Sequence, residues 1–197
     1  MGVNLQKGQR VNLTKSGETL STIVVGLGWD PVKIKKGFFG IGSNDNIDCD
    51  ASVLMLNSNG KLSSMNDVVF FGQLVSQCGS VHHSGDNLTG DGDGDDEQIV
   101  VDLNGVPDHI EKLVFTVTVC DCINKKHHFG LIQNAFIRIF NQKNNQELIT
   151  YNLTDNYSGK TALIAGEIYR HNGGWKFAAI GEGTMDNGIG DMSNRFF

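Results

Sequence analysis

Apolar residues recur at every second position along this chain, in short runs. Over 113–121, Leu113, Phe115, Val117 and Val119 share one face and Thr116 and Thr118 the other, and the many β-branched side chains predict a strand. Ile99, Val101 and Leu103 alternate with Val100 and Asp102, and Trp175, Phe177 and Ala179 with Lys176 and Ala178. The segments 22–28, 51–56, 68–71 and 135–140 also predict strands, some of them apolar on both faces, as for central positions between two layers. Turn chemistry separates the runs: Asn57-Ser-Asn-Gly60, the stretch 40–46, Asn144-Asn145 and Asn172-Gly-Gly174. Helical signals are few. Residues 107–112 predict a short turn of helix, and 159–170 fits either helix or strand. Many short strands with Gly and Asn turns predict a mainly β fold, a β-sandwich.

A length of 197 residues with 39% hydrophobic and 19% charged residues fits one domain with one core rather than a disordered chain. The longest apolar runs, 23–27 and 53–56, fall short of the roughly 18 residues a spanning helix needs. The first residues lack a secretory apolar core and the myristoylation pattern, so a cytoplasmic protein is expected, with only indirect membrane association. Cys49, Cys78, Cys120 and Cys122 are then expected as reduced thiols. A zinc site built from these and the doublets His82-His83 and His127-His128 is the less favoured alternative.

Charge changes the picture most. The chain carries 22 acidic and 16 basic side chains, and residues 86–97 hold six acids and no base, so the remainder is neutral at 16 against 16. An acidic chain without a basic stripe excludes nucleic acid as the main partner. The run reads Gly-Asp-Asn-Leu-Thr-Gly-Asp-Gly-Asp-Gly-Asp-Asp-Glu over 85–97. Hard divalent cations take six to eight oxygen ligands from carboxylates, amides and carbonyls, and interleaved glycines let a chain wrap tightly around them. Crowded carboxylates repel one another, and two calcium ions would change the formal charge of this segment from −6 to −2. The segment is not an EF-hand, because Asp96 stands where Gly is required and Asp102 where a bidentate Glu is expected. A solvated acidic turn is the plain alternative. Asp48 and Asp50, two apart and so on one face of a strand, and Asp30 after Gly28-Trp29 favour calcium over it.

These motifs together resemble the TerD family of tellurium-resistance and general-stress proteins. The resemblance runs from about residue 3 to 183 and rests on Val-Asn-Leu-Thr-Lys (11–15), Gly-Leu-Gly-Trp-Asp (26–30), Asp-Cys-Asp-Ala-Ser (48–52) and the segment 78–97. Asn-Ala-Phe-Ile-Arg (134–138), Gly-Glu-Ile-Tyr-Arg (166–170) and Trp-Lys-Phe-Ala-Ala-Ile-Gly-Glu-Gly (175–183) follow in family order. It implies a two-sheet β-sandwich with a few short helices, assigned to residues 1–185; the Gly-rich C-terminal tail, 186–197, is particular to this chain and expected to be partly loose. It also implies about two neighbouring calcium ions and no enzymatic activity. The implied ligands are Asp30, Asp48, Asp50, Asp86, Asn87, Asp91, Asp93, Asp95, Asp96 and Glu97, with the carbonyl of Gly90. Leu88 departs from the family, which usually has Arg there.

The chain has no nucleophile elbow, P-loop, dinucleotide fingerprint or zincin motif, so the expected function is non-enzymatic: a calcium-binding stress-response protein that serves as a binding or scaffolding module for protein partners in a stress complex. A calcium-assisted hydrolase using His82 or His83 is the weaker enzyme alternative. A cyclic-AMP-binding protein is the alternative from another class, with Arg138 and Arg170 as its phosphate candidates.

Overall fold

The computed structural model describes residues 2–14, 20–31, 47–85 and 94–197, of Pro31 the backbone only. Its strands are β1 (Val3–Leu5), β2 (Arg10–Asn12), β3 (Thr22–Pro31), β4 (Cys49–Asn57), β5 (Val68–Val69), β6 (Val81–His83), β7 (Glu97–Asp102), β8 (Ile110–Val119), β9 (Ile132–Asn141), β10 (Gln146–Asn152), β11 (Ala162–His171) and β12 (Gly174–Thr184). The α-helices among the described residues are short, α1 (Cys122–Lys125) and α2 (Ile189–Asn194). The strands form two six-stranded sheets, ordered β1-β10-β9-β3-β7-β6 and β2-β12-β11-β8-β4-β5. This is the two-sheet sandwich that the sequence predicts.

Period-two alternation builds the core. Ile23, Val25, Leu27 and Trp29 of β3, Ile99 and Val101 of β7, and Ile137 and Ile139 of β9 point inward from the first sheet. Cys49, Ala51, Val53 and Met55 of β4 and Leu113, Phe115, Val117 and Val119 of β8 meet them from the second. The opposite face of β4 is buried for a different reason than a central position. Leu54 and Leu56, with Leu62, Val68 and Val114, form a second cluster outside the sandwich, and Ile189 and Phe196 pack over it. The Leu62 amide donates to the Phe196 carbonyl at 2.7 Å. The tail expected to be partly loose is therefore helix α2 and its flanks, docked as a partial third layer.

Local expectations are met unevenly. Asn172 (φ 50°) and Gly173 (φ 75°) make the two-residue turn between β11 and β12, whose flanking pair is His171 and Gly174. Residues 107–112 hold a turn closed by the Ile110 amide on the Pro107 carbonyl at 2.9 Å, with no helix, and β8 starts directly after it. The ambiguous stretch 159–170 is mostly strand β11. The strand expected over 68–71 is limited to Val68–Val69. β10, β1, β2 and β6 were not among the predicted runs; at three residues β1, β2 and β6 are too short to show a period.

Candidate functional site

β3 and β7 run antiparallel with Leu27 opposite Glu97, which brings the end of β3, with Trp29 and Asp30, beside the start of β7. The pairing of β3 with β9 shifts register between Gly28 and Asp30, a bulge that re-aims the last residues of β3. The Asp96 amide donates to the Leu27 carbonyl at 2.9 Å, and Asp96 Oδ2 accepts from the Trp29 amide at 2.7 Å. Burial raises the Asp96 pKa, and the carboxylates of Asp30, Glu97 and Asp95 push it further, against the lowering effect of the Trp29 hydrogen bond. Asp30 Oδ2 accepts from Asn134 Nδ2 at 2.8 Å.

Asp95 lies on the outer face of the first sheet, over Gly26. The cross-strand neighbours of Gly26 are Gln98 on β7 and Arg138 on β9. Both reach Asp95: Gln98 Nε2 donates to Oδ2 at 3.0 Å and Arg138 Nε to Oδ1 at 2.6 Å. A Cβ on Gly26 would stand 2.2 Å from Asp95 Cγ, and one on Gly28 would stand 2.8 Å from the Gly94 carbonyl oxygen. The Gly-Leu-Gly step thus opens a trough in β3, and residues 94 and 95 lie in it.

Glu97 points the other way, into the sandwich, where its side chain is fully buried with that of His83. Glu97 Oε2 accepts from the Ala51 amide at 2.6 Å, and His83 Nε2 lies 3.1 Å from the Ala51 carbonyl oxygen and 3.3 Å from Glu97 Oε2. His83 Nδ1 accepts from the Gly85 amide at 3.0 Å, which leaves the ring proton on Nε2, facing both oxygens. β5 pairs with β4 only at Val53 and Leu54, so the Ala51 backbone bonds to these two side chains on the edge of β4 that no described strand covers at that position. This clamp joins the first sheet to the second.

Asp50 enters from the start of β4 and Asp48 from the residue just before it. The Cys120 amide donates to the Asp48 carbonyl at 2.8 Å. Burial, then the charges of Asp50 and Asp48, push the Cys120 thiol up to about 11. Cys49 is raised by burial first, then by Asp50, Asp48, Glu97 and Asp96. Asp30, Asp48, Asp50, Asp95, Asp96 and Glu97 therefore converge on one end of the sandwich, with Asp95 and Glu97 on opposite faces of the chain. Asp86, Asn87, Leu88, Gly90, Asp91 and Asp93 lie outside the described residues, as does the stretch 40–46. Among the described residues no three His, Cys, Asp or Glu side chains form a ready metal cage, whether of thiolate and imidazole or of carboxylate.

Beside Asp30 a cleft of about 690 Å³ is lined by Trp29, Gly94, Asn134, Phe136, Thr154 and Asp155. A second, of about 850 Å³, is lined by Arg170, Trp175, Asn104, Asp108, His171 and Lys176 among others. The arginines weighed for a phosphate are engaged elsewhere. Arg138 holds Asp95, and Arg170 donates to the carbonyls of Ile110, Val106 and Pro107 and stacks on Trp175, 4.4 Å from the ring centroid. His82 points outward and bonds the Gly79 carbonyl at 2.8 Å, whereas His83 is built into the clamp. Sequence reasoning missed the roles of Arg138, Gln98 and His83; the register that seats Arg138 and Gln98 beside Gly26 is invisible until strands are paired.

A family model described as TerD domain matches residues 1–196. Stress response protein SCP2 of Bacillus subtilis (strain 168) is 55% identical to this chain over 199 aligned positions, covering 100% of both. Tellurium resistance protein TerD of Serratia marcescens is 43% identical over 183 positions, covering 93% of this chain and 91% of that protein. The crystal structure of a homologue of telluride resistance protein (TerD) from Streptomyces coelicolor A3(2) superposes with a TM-score of 0.62 at 22% identity, covering 83% of this chain and 89% of the other, which is a likeness of fold.

Proposed function

The chain belongs to the TerD family of tellurium-resistance and general-stress proteins, and from that premise we propose that it is a non-enzymatic, cytoplasmic calcium-binding protein acting as a binding or scaffolding module for protein partners. No helix among the described residues is long and apolar enough to cross a membrane. The observation that carries the calcium reading is the convergence of carboxylates on and beside three strands at one end of the sandwich.

The donor set suits a hard cation. Asp30, Asp48, Asp50 and Asp96 offer oxygen, and no imidazole among the described residues joins them as a ready cage. These would hold the ions together with Asp86, Asn87, Asp91, Asp93 and the Gly90 carbonyl. A bound cation supplies the positive charge that offsets their mutual repulsion. The chain's own residues fix the C-terminal end of the segment: the Trp29 amide orients Asp96, and the Glu97 clamp on Ala51 ties the start of β7 to β4.

The test is a calcium titration of chelator-stripped protein, followed by native mass spectrometry and thermal melting. Uptake of about two ions is expected, with a stabilisation of about 2.7 kcal/mol per site at hundredfold excess over Kd and a smaller effect of magnesium. A chain that gains no mass and melts unchanged in millimolar calcium is not a calcium-binding protein.

A further inference from the structure

We propose that Arg138 is a latch that positions the end of the acidic segment, and that Asp95 is its anchor rather than a metal ligand. The inference rests on the calcium reading and deepens it by dividing the acidic run into anchors and ligands. Asp95 is unlike an acid in a solvated turn. Its side chain is fully buried, while that of Arg138 is one-third exposed at 33%. A buried carboxylate needs hydrogen-bond partners, and both of its oxygens have them, Oδ1 in Arg138 and Oδ2 in Gln98.

The surroundings of each partner are built for this contact. Gly26, between Gln98 and Arg138 across the sheet, has no side chain, and any Cβ there would overlap Asp95. The Arg138 guanidinium lies 5.6 Å from the ring centroids of both Phe136 and Phe140, which hold it over the trough. A divalent ion on Asp95 would share the carboxylate with a guanidinium 2.6 Å from Oδ1 and a side-chain amide 3.0 Å from Oδ2, two cations repelling each other across one acid. The arrangement instead suits a carboxylate pinned by the protein, so that Asp96, the next residue, enters the site with its backbone already fixed on Leu27. A residue already fixed before a ligand arrives lowers the ordering cost of binding.

The experiment is a double-mutant cycle on the full chain: wild type, Arg138→Gln, Asp95→Asn and the pair, with Arg138→Lys as the conservative variant. Calcium affinity is read by calorimetry and the number of ions by native mass spectrometry. The latch predicts that each single substitution weakens calcium binding by a similar factor, on the order of tenfold, as typical coupling energies allow. It further predicts that the pair binds no more weakly than either single variant, that Arg138→Lys recovers part of the loss, and that the ion count is unchanged. Tighter binding in Arg138→Gln would show a guanidinium competing for a ligating carboxylate and overturn the proposal. Loss of an ion in Asp95→Asn alone overturns it too. If the wild type takes up no calcium, the calcium reading falls by itself, and the latch is then judged on hydrogen exchange of the Asp96 amide without metal. Faster exchange in Arg138→Gln, partly restored in Arg138→Lys, supports it, and unchanged exchange overturns it.

Discussion

Asp95 occupies the space that a side chain on Gly26 would need: a Cβ built there falls 2.2 Å from Asp95 Cγ. One consequence is that Gly26→Ala must displace Asp95 from between Arg138 and Gln98. We expect a destabilisation on the order of 1–3 kcal/mol from overpacking, together with weaker calcium binding. Chemical denaturation compared with that of Val24→Ala, on the same face of β3, separates the two effects. Ala tolerated at position 26 with full stability and calcium response would mean that the trough is not needed.

The clamp on Ala51 predicts an asymmetric response at Glu97. Glu97→Leu leaves the buried Ala51 amide without its acceptor, while His83 keeps the Ala51 carbonyl, and an unsatisfied buried donor costs about 1–3 kcal/mol. Glu97→Gln keeps an oxygen facing the amide and costs less. Melting of the metal-free proteins ranks the three chains, and equal losses in both variants would contradict the hydrogen-bonded role.

The cysteines are set apart by their surroundings. Partial burial alone would raise the Cys78 thiol, but hydrogen bonds from the Ser76 and Ser80 hydroxyls and from backbone amides lower it overall, and it is exposed. Cys78 should therefore alkylate first with iodoacetamide at neutral pH and buried Cys49 last, as peptide mass spectrometry after a short pulse would show. Cys120 also gives a sign for alkaline stability. Its folded thiol keeps the proton to about 11, whereas the ordinary value is 9.0. Below that ordinary value both states are protonated and the contribution is whole. Through the window up to about 11 the unfolded chain binds fewer protons, so stability falls as pH rises. In chelator-stripped protein Cys120→Ser should flatten that fall, and an unaltered slope would remove Cys120 as its source.

The sandwich was legible because alternation in β8, β7 and β12 is a local property. The apolar outer face of β4 was visible too, but not its cause, since Ile189 and Phe196 cover it from more than a hundred residues away. At the site, the sequence grouped Asp30, Asp48 and Asp50 with the acidic run, but did not show the end of the sandwich that the described ones share. It treated Asp95, Asp96 and Glu97 as equivalent members of one acidic run. In the structure Asp95 turns out to Arg138, Glu97 turns in to Ala51, and Asp96 bonds Trp29 between them. Strand alternation would put Asp95 and Glu97 on one face, but β7 begins only at Glu97; the division is set by partners on β9, β7 and β4, which neighbouring residues do not reveal.

The two N-terminal strands close different sheets, β1 by parallel pairing of Val3 with Ile149 and β2 by antiparallel pairing of Val11 with Phe177. Both seams join residues far apart in the chain, so each must meet a large loop-closure entropy before any hydrogen bond rewards it. Folding should thus proceed inward-out, with the hairpins β9–β10 and β11–β12 forming early and the flanking seams zipping last. The acidic end, whose contacts also span distant strands, would take its folded shape only in that final stage.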